Sequence, residues 1–284
     1  MPETLSKWDE RVEPSQFEEY SEKYKDFFVM TRRNGILEVR MHTNGGPFRQ
    51  TWKGHNAFSQ AWLEVGRDPE NEVLIITGTG DQWLTVDLAE VWHTPFGQWT
   101  GDSKLKMYYD MIKLLETLVF CIDVPTIGAI NGPGGHLEIA TLCDITLCTE
   151  DVDFSDPHFM VGGPPGDGMA LTLQQTMGFK RASYYAYTSQ KIDGPTALQL
   201  GMVNEVLPRE RLLPRAWELA EMIMQRPRLT RRMTHAILSR PWKRALVDDL
   251  GFHAVHQLFP MSLDEEGILA RLEQYRRRIA DRHA

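Results

Sequence analysis

INGPGGHLEIATLCD, residues Ile130–Asp144, passes from an apolar strand through Gly132, Gly134 and Gly135 into a short apolar helix. Glycine permits tight turning, and a helix start carries backbone N–H groups with no partner inside the helix. Such donors can hold an anion or a developing oxyanion. Taken alone the pattern is ambiguous, because glycine-rich strand-to-helix turns are common and a purely structural reading fits equally well.

Working outward, VPTIGAI before the turn and CDITLCT after it read as strands. Further upstream, DFFVMTRRNGILEVRMHT reads as two strands around Asn34-Gly35, a hairpin signal. Phe58, Trp62 and Val65 fall at helical spacing, and NEVLIITGTG is a buried strand ending in a turn. An aromatic-rich loop, DQWLTVDLAEVWHTPFGQWTGD, precedes a helix with a stripe of Tyr108, Met111, Ile112, Leu115, Leu118 and Val119. Downstream, MALTLQQTMGFKRASYYAYTSQ predicts a helix pair broken near Gly178, and IDGPTALQLGMVNEVLP a helix, a glycine stop and a short strand. From Arg209 the pattern is helical, and no repeat of fixed period is present. Strand–helix alternation followed by a helical tail implies an α/β core with an α appendage. The expected division is an N-terminal arm over 1–25, a core over 26–208 and a helical region over 209–284. Within the arm, residues 1–14 read as loose and SQFEEYSEKYK as a short helix.

The chain has 284 residues, 42% hydrophobic and 25% charged, with a net charge of -8. That is the composition of a globular protein and not of a general nucleic-acid or anionic-membrane binder. The basic runs RPRLTRRMTHAILSRPWKR and RLEQYRRRIADRHA are expected to be exposed helix faces or contacts to an acidic neighbouring subunit. Cys121, Cys143 and Cys148 sit in apolar surroundings without CxxC spacing. This predicts buried thiols in a reducing cytoplasm, with neither a disulfide frame nor a zinc site. The polar start is neither a signal peptide nor an anchor, and no apolar run approaches the roughly 20 residues of a spanning helix.

A second segment carries chemistry. SDPHFMVGGPPGDG, Ser155–Gly168, places His158 and Asp167 in a stiff stretch rich in proline and glycine. Each candidate has a plain alternative. His158 and His136 can be structural, Asp167 can cap the next helix, and Glu138 suits a helix dipole. His253 and His256 are three apart on one helix face with no third ligand, so no metal is expected.

In order along the chain, Asn131-Gly132, Gly134-Gly135, Glu138, Cys143-Asp144, Phe154, Pro157, Gly162, Pro165-Gly166, Gly168 and GPTALQLGMVNEV resemble the crotonase (enoyl-CoA hydratase/isomerase) superfamily. The resemblance covers most of residues 26–208. It implies a spiral (superhelix) of ββα turns and a C-terminal helical region that builds trimers, often paired into hexamers. It also implies an oxyanion hole of two backbone N–H groups, one at Gly135 and one at Thr85, with Leu84 the neighbouring choice. The hydratases of this family use two glutamates. The first maps to Glu138, but His158 stands at the second. His136 replaces the third glycine of a Gly-Gly-Gly run, and the loop that lodges the CoA adenine is shortened to WLTVD.

A branch of CoA-independent C–C bond hydrolases, typified by 6-oxocamphor hydrolase, is more similar. It matches His136, Glu138, His158 in Pro-His-Phe, Asp167 in Pro-Gly-Asp-Gly, and LLPRAWELA. The branch has a carboxylate in its tail after a histidine; here His256-Gln257 supplies an amide. The resemblance thus implies retro-Claisen hydrolysis of a cyclic β-diketone with no cofactor. His158, backed by Asp167, would activate water. The N–H pair would stabilise the enolate, His136 would donate to a carbonyl oxygen and return a proton, and Glu138 would orient water or His136. Trp83, Trp92, Phe96, Trp99 and Phe159 are candidate pocket residues. Expected partners are a small ketone and further copies of the chain, without nucleic acid or membrane. An acyl-CoA hydratase, isomerase or hydrolase is the alternative enzyme, and a non-catalytic binding protein on this fold, with RNA on its basic tail, is the alternative of another class.

Overall fold

The computed structural model describes residues 12–86, 96–263 and 265–283. After α1 (Phe17–Lys23), strands β1 (Phe28–Arg33) and β2 (Ile36–Met41) form the expected antiparallel hairpin. Its two turn residues, Asn34 and Gly35, have φ of 51° and 81°, the left-handed pair whose twist suits a two-residue hairpin turn. A short β3 (Arg49–Gln50) leads into α2 (Trp52–Arg67), capped by the Thr51 hydroxyl accepting from Gly54 N–H. Then follow β4 (Val73–Thr77), β5 (Thr85–Val86), α3 (Gly101–Cys121), β6 (Thr126–Ile130), α4 (Glu138–Thr141) and β7 (Ile145–Cys148).

The six-stranded sheet has the order β1-β2-β4-β6-β7-β8, where β8 is Glu205–Val206, and every pair after the hairpin is parallel. Strands β4 and β6 are buried at every residue, as a parallel sheet covered on both faces requires. Period-2 alternation divides their side chains. Leu74 and Ile76 face the main core with Phe58, Trp62 and Leu115, from α2 and α3. Val73, Ile75, Ile127 and Leu147 meet Leu212, Ala216, Leu219 and Ala220. These last four lie on α9 (Arg209–Met224), which follows α5 (His158–Val161), α6 (Met169–Met177), α7 (Phe179–Thr188) and α8 (Gly194–Leu200). The first helix of the 209–284 region is therefore a layer of the α/β core. The helix break at Gly178 and the stop at Gly201, φ 78°, lie where the sequence places them.

Beyond α9 come α10 (Arg228–Leu238), α11 (Arg240–Ala245), a π-helical turn at Leu246–Leu250, α12 (Gly251–Leu263) and α13 (Glu265–His283). The basic run on α10 corrects an expectation: its acidic partner lies in the same chain. Glu72, at the foot of β4, pairs with Arg228 at 2.6 Å, with Arg232 at 3.3 Å, and closely with Arg231. Arg232 also pairs with Asp123 at 2.6 Å. At the other end of the chain, α1 docks through buried Tyr20, whose hydroxyl donates to Asp68 at 2.9 Å. Cys143 and Cys148 are buried and Cys121 half-buried, all as free thiols. Among the described residues, no helix is long and apolar enough to cross a membrane.

Candidate active site

Two turns are fastened together beneath the site. Asn131 donates from its amide to Gly80 O and Gln82 O, both at 2.9 Å. Trp83 N–H donates to Pro133 O at 3.0 Å, and Gly135 N–H to Leu84 O at 2.8 Å. The approach explains two glycines. A Cβ on Gly132 would lie 1.9 Å from Asp81 O, and one on Gly134 2.6 Å from Leu84 O. The same fastening corrects the expected oxyanion hole. Gly135 N–H is spent on Leu84, and Thr85 N–H donates to Phe48 O at 2.9 Å beside the β3–β5 ladder. A backbone donor held by a carbonyl is not free for a substrate oxygen. Of the three expected positions, only the Leu84 N–H donates to no backbone carbonyl among the described residues, while Leu84 O accepts from Gly135.

The donors that do converge are side chains. His136 has φ 51°, so a non-glycine residue holds a left-handed turn at the entrance to α4. Its Nδ1 lies 2.6 Å from Glu138 Oε1, and its Nε2 lies 3.3 Å from Gln50 Nε2. Burial works against protonation of His136, but the Glu138 carboxylate outweighs it and raises the imidazole pKa. Burial likewise raises Glu138, against the pull of His136. Behind His136 stands His55, with ring centroids 5.4 Å apart. His55 Nδ1 lies 2.6 Å from Asp110 Oδ2, yet burial lowers its pKa and favours the neutral ring. Gln50, His55 and Asp110 were invisible to motif reasoning, because they come from β3, α2 and α3, far from the glycine turn in sequence.

His158 opens α5, one turn of helix. Asp156 Oδ1 accepts the His158 backbone N–H at 2.8 Å and lies 2.7 Å from its Nδ1. Asp156 is therefore the carboxylate that fixes this ring, a role the sequence assigned to Asp167. Asp167 Oδ2 lies 3.6 Å from the other nitrogen, Nε2. Capping explains little of Asp167: its Oδ1 is 3.5 Å from Met169 N, and Gly168 holds the cap position of α6. Burial opposes protonation of His158, but Asp156 and then Asp167 outweigh it and push the pKa up to about 10. Burial alone would raise Asp167, while His158 and His136 together bring it below the ordinary carboxylate value. The Asp167 charge thus acts on both imidazoles, favouring their protonated forms. Gln257, from α12, donates from Nε2 toward His158 Nε2 at 3.0 Å and accepts Gly166 N–H at 2.8 Å. Asp156, His158 and Asp167 bring ligand atoms within 4.8 Å of one another. Both ring nitrogens already face Asp156 and Gln257, while Asp156 Oδ2 is buried without a hydrogen-bond partner.

The aromatic candidates separate. Trp83 is fully buried, and its indole N–H donates to His136 O at 3.3 Å, so it supports His136 and lines no open pocket. Phe159 is half exposed, its ring edge-on to Tyr187 at 5.1 Å. Phe96 opens a 3-10 turn at Phe96–Gln98, and Trp92 lies outside the described residues. Trp99 meets Trp52 edge-on at 5.4 Å. These two line a cavity of about 480 Å³ with Met107, Tyr109 and Asp110. None of His136, Glu138, His158 and Asp167 lines it; the link to the site runs through Asp110 and His55.

The sequence profile of the family described as Enoyl-CoA hydratase/isomerase matches residues 34–279. The chain belongs to this family. Within the enoyl-CoA hydratase/isomerase family, it resembles a crotonyl-CoA hydratase of Syntrophomonas wolfei, 30% identical over 61% of this chain and 65% of the relative. A mitochondrial enoyl-CoA hydratase of Pongo abelii is 26% identical over 78% of this chain and 76% of the relative. Among solved structures, a beta-diketone hydrolase from the cyanobacterium Anabaena, bound to (S)-3-oxocyclohexyl acetic acid, superposes with a TM-score of 0.78. It is 34% identical and the match covers 90% of this chain and 98% of that one. An enoyl-CoA hydratase/isomerase from Mycobacterium paratuberculosis also gives 0.78, at 20% identity over 88% of this chain and 98% of that one, a likeness of fold. The chain is thus an enzyme-family member with the crotonase fold, on the branch that includes a beta-diketone hydrolase.

Proposed function

We propose that the protein hydrolyses a carbon–carbon bond in a cyclic β-diketone, without CoA. The observation that carries this reading is His158, clamped at Nδ1 by Asp156 and faced at Nε2 by Asp167, where a hydratase of this family would hold a glutamate. Imidazole accepts a proton near neutral pH, and a carboxylate on its far nitrogen supports the imidazolium as it forms.

His158 Nε2 takes one proton of a water, and the hydroxyl oxygen bonds to one carbonyl carbon. The resulting tetrahedral oxyanion collapses to a carboxylic acid. The C–C bonding pair moves onto the second ketone as an enolate, which takes a proton at carbon. Diketone plus water gives one keto acid. With the Thr85 and Gly135 N–H groups engaged, charge on oxygen falls to the Leu84 N–H, the His136 ring and the Gln50 amide, the last two with nitrogens 3.3 Å apart. Glu138 holds His136 and supports its protonated form.

The test is incubation with cyclic and bicyclic 1,3-diketones, following loss of diketone absorbance and formation of keto acid. Inactivity across a broad panel would overturn the reading. The names of the hydratase relatives favour a second reading, a CoA-thioester hydratase. Titration calorimetry separates the two: acyl-CoA analogues bind only if the second holds.

We also propose that the chain works as a trimer or a pair of trimers. Leu229, Met233 and Ile237 form an exposed apolar stripe on α10, and Phe252, Val255, Phe259 and Leu263 expose another on α12. Contiguous apolar surface of this kind marks association. Sedimentation equilibrium is expected to give three or six chains per particle, and a monomer at micromolar concentration would refute it.

A further inference from the structure

We infer that Gln257 is a positioning residue that holds His158 as the neutral, Nδ1-protonated base, its NH2 group occupying the Nε2 lone pair until water displaces it. The inference rests on His158 being the base of the proposed reaction, and it follows from counting donors and acceptors. Asp156 Oδ1 lies 2.7 Å from His158 Nδ1 and also accepts the His158 backbone N–H. An ionised carboxylate only accepts, so Nδ1 carries a proton. At the other end, Gly166 N–H can only donate, and it meets Gln257 Oε1 at 2.8 Å. This fixes which way the amide points. Its NH2 group, a donor only, therefore faces His158 Nε2 at 3.0 Å. That contact exists only if Nε2 is an acceptor. Close packing keeps the orientation: a Cβ on Gly166 would lie 2.6 Å from Gln257 Cβ and 2.3 Å from His253 O.

Protonation of Nε2 would set two donors against each other. The proton's new acceptor is at hand, Asp167 Oδ2 at 3.6 Å from Nε2. Gln257 thus serves the ring before it takes the proton of water, and Asp167 serves it afterwards. The charges around the ring favour the imidazolium and push its pKa up to about 10, so the neutral ring requires the Gln257 donor at Nε2 to outweigh them. Asp156 and Asp167 flank it, and Glu138 and His136 lie across the site. On neighbouring elements are Tyr187 of α7, beside Phe159, His253 of α12, and Arg271 of α13, which donates to Val161 O. Gln257 is the counterweight to the two aspartates.

The other histidine has a similar frame with one difference. His136 also faces a carboxylate at Nδ1 and a glutamine amide nitrogen at Nε2. Yet Gln50 Oε1 is buried without a partner, so no backbone donor locks that amide. Turned over, Gln50 accepts from a protonated His136. One amide is fixed and the other reversible, which makes His158 the base and His136 the proton donor.

The experiment is a pH titration of the histidine ring carbons and nitrogens by NMR in the full chain. The His158 signal is assigned by its absence in His158→Gln. Wild type should show the neutral, Nδ1-protonated tautomer of His158 at pH 7. Gln257→Glu places an acceptor at Nε2, and Gln257→Met removes the donor while keeping bulk. Both should move the His158 midpoint up, by one pH unit or more in Gln257→Glu. The acid limb of the kcat/KM profile for a 1,3-diketone should follow, with about tenfold lower kcat/KM per unit on that limb. A merely structural role would lower activity at every pH without moving the midpoint. An imidazolium at pH 7 in wild type, or the wild-type midpoint in folded variants, overturns the inference. The wild-type spectrum decides alone if neither variant folds. Absence of diketone turnover would strike the proposed function and leave the ring titration readable.

Discussion

Changing His158 to alanine is expected to lower kcat/KM toward a cyclic 1,3-diketone by roughly 10²- to 10⁴-fold, the range a positioned general base contributes. The loss should fall mainly on kcat, because the ring acts on water and not on the ketone. Removal also leaves Asp156, buried and with Oδ2 already unpartnered, without the imidazole it holds. His158→Gln restores a donor toward Asp156 but supplies no base. It should therefore recover folding and not turnover, which separates chemistry from structure. Full activity in His158→Ala would remove the base from the mechanism. Steady-state rates beside a thermal melt of each variant provide the measurement.

Replacing Glu72 with leucine is expected to destabilise the fold by about 3–5 kcal/mol, the cost of breaking a buried ion pair by removing one partner. Glu72 is largely buried and faces three arginines, of which Arg231 is itself buried. Leucine leaves the Arg231 guanidinium in the interior with two carbonyls, Met224 O and Arg226 O, and no counter-charge. The cluster ties α10 to the foot of β4, so the loss should appear as a lower urea midpoint with the native sheet otherwise kept. The double change Glu72→Leu with Arg231→Met should recover much of the loss. Equal stability of wild type and Glu72→Leu would show that solvent reaches the cluster and screens it.

The parts of the fold that follow from local chemistry were readable in the sequence. Asn34-Gly35 demands a two-residue hairpin turn, VLIIT and TIGAI read as strands covered on both faces, and Gly178 and Gly201 end helices. His136, Glu138, His158 and Asp167 were found because their motifs are contiguous. What stayed hidden depends on folding at a distance. Asp156 sits two residues from His158, yet only the turn geometry shows that one oxygen serves both its backbone and its ring. Gln50 and Gln257 reach the imidazoles from β3 and α12, and no periodicity announces that. Sequence does not say which N–H groups a neighbouring turn has already taken, which is why Gly135 and Thr85 read as free donors when both are engaged.

The left-handed backbone of His136 carries a cost for whoever tries to improve this protein. At φ 51° glycine is the comfortable residue, and a side chain there sacrifices on the order of 1–2 kcal/mol. The Glu138 carboxyl beside it, 1% exposed, is a second concession to chemistry. A library selected for heat resistance alone would drift toward glycine at 136 and an apolar residue at 138. Its winners would be sturdier proteins with an empty workbench, so selection on this scaffold has to score turnover from the first round.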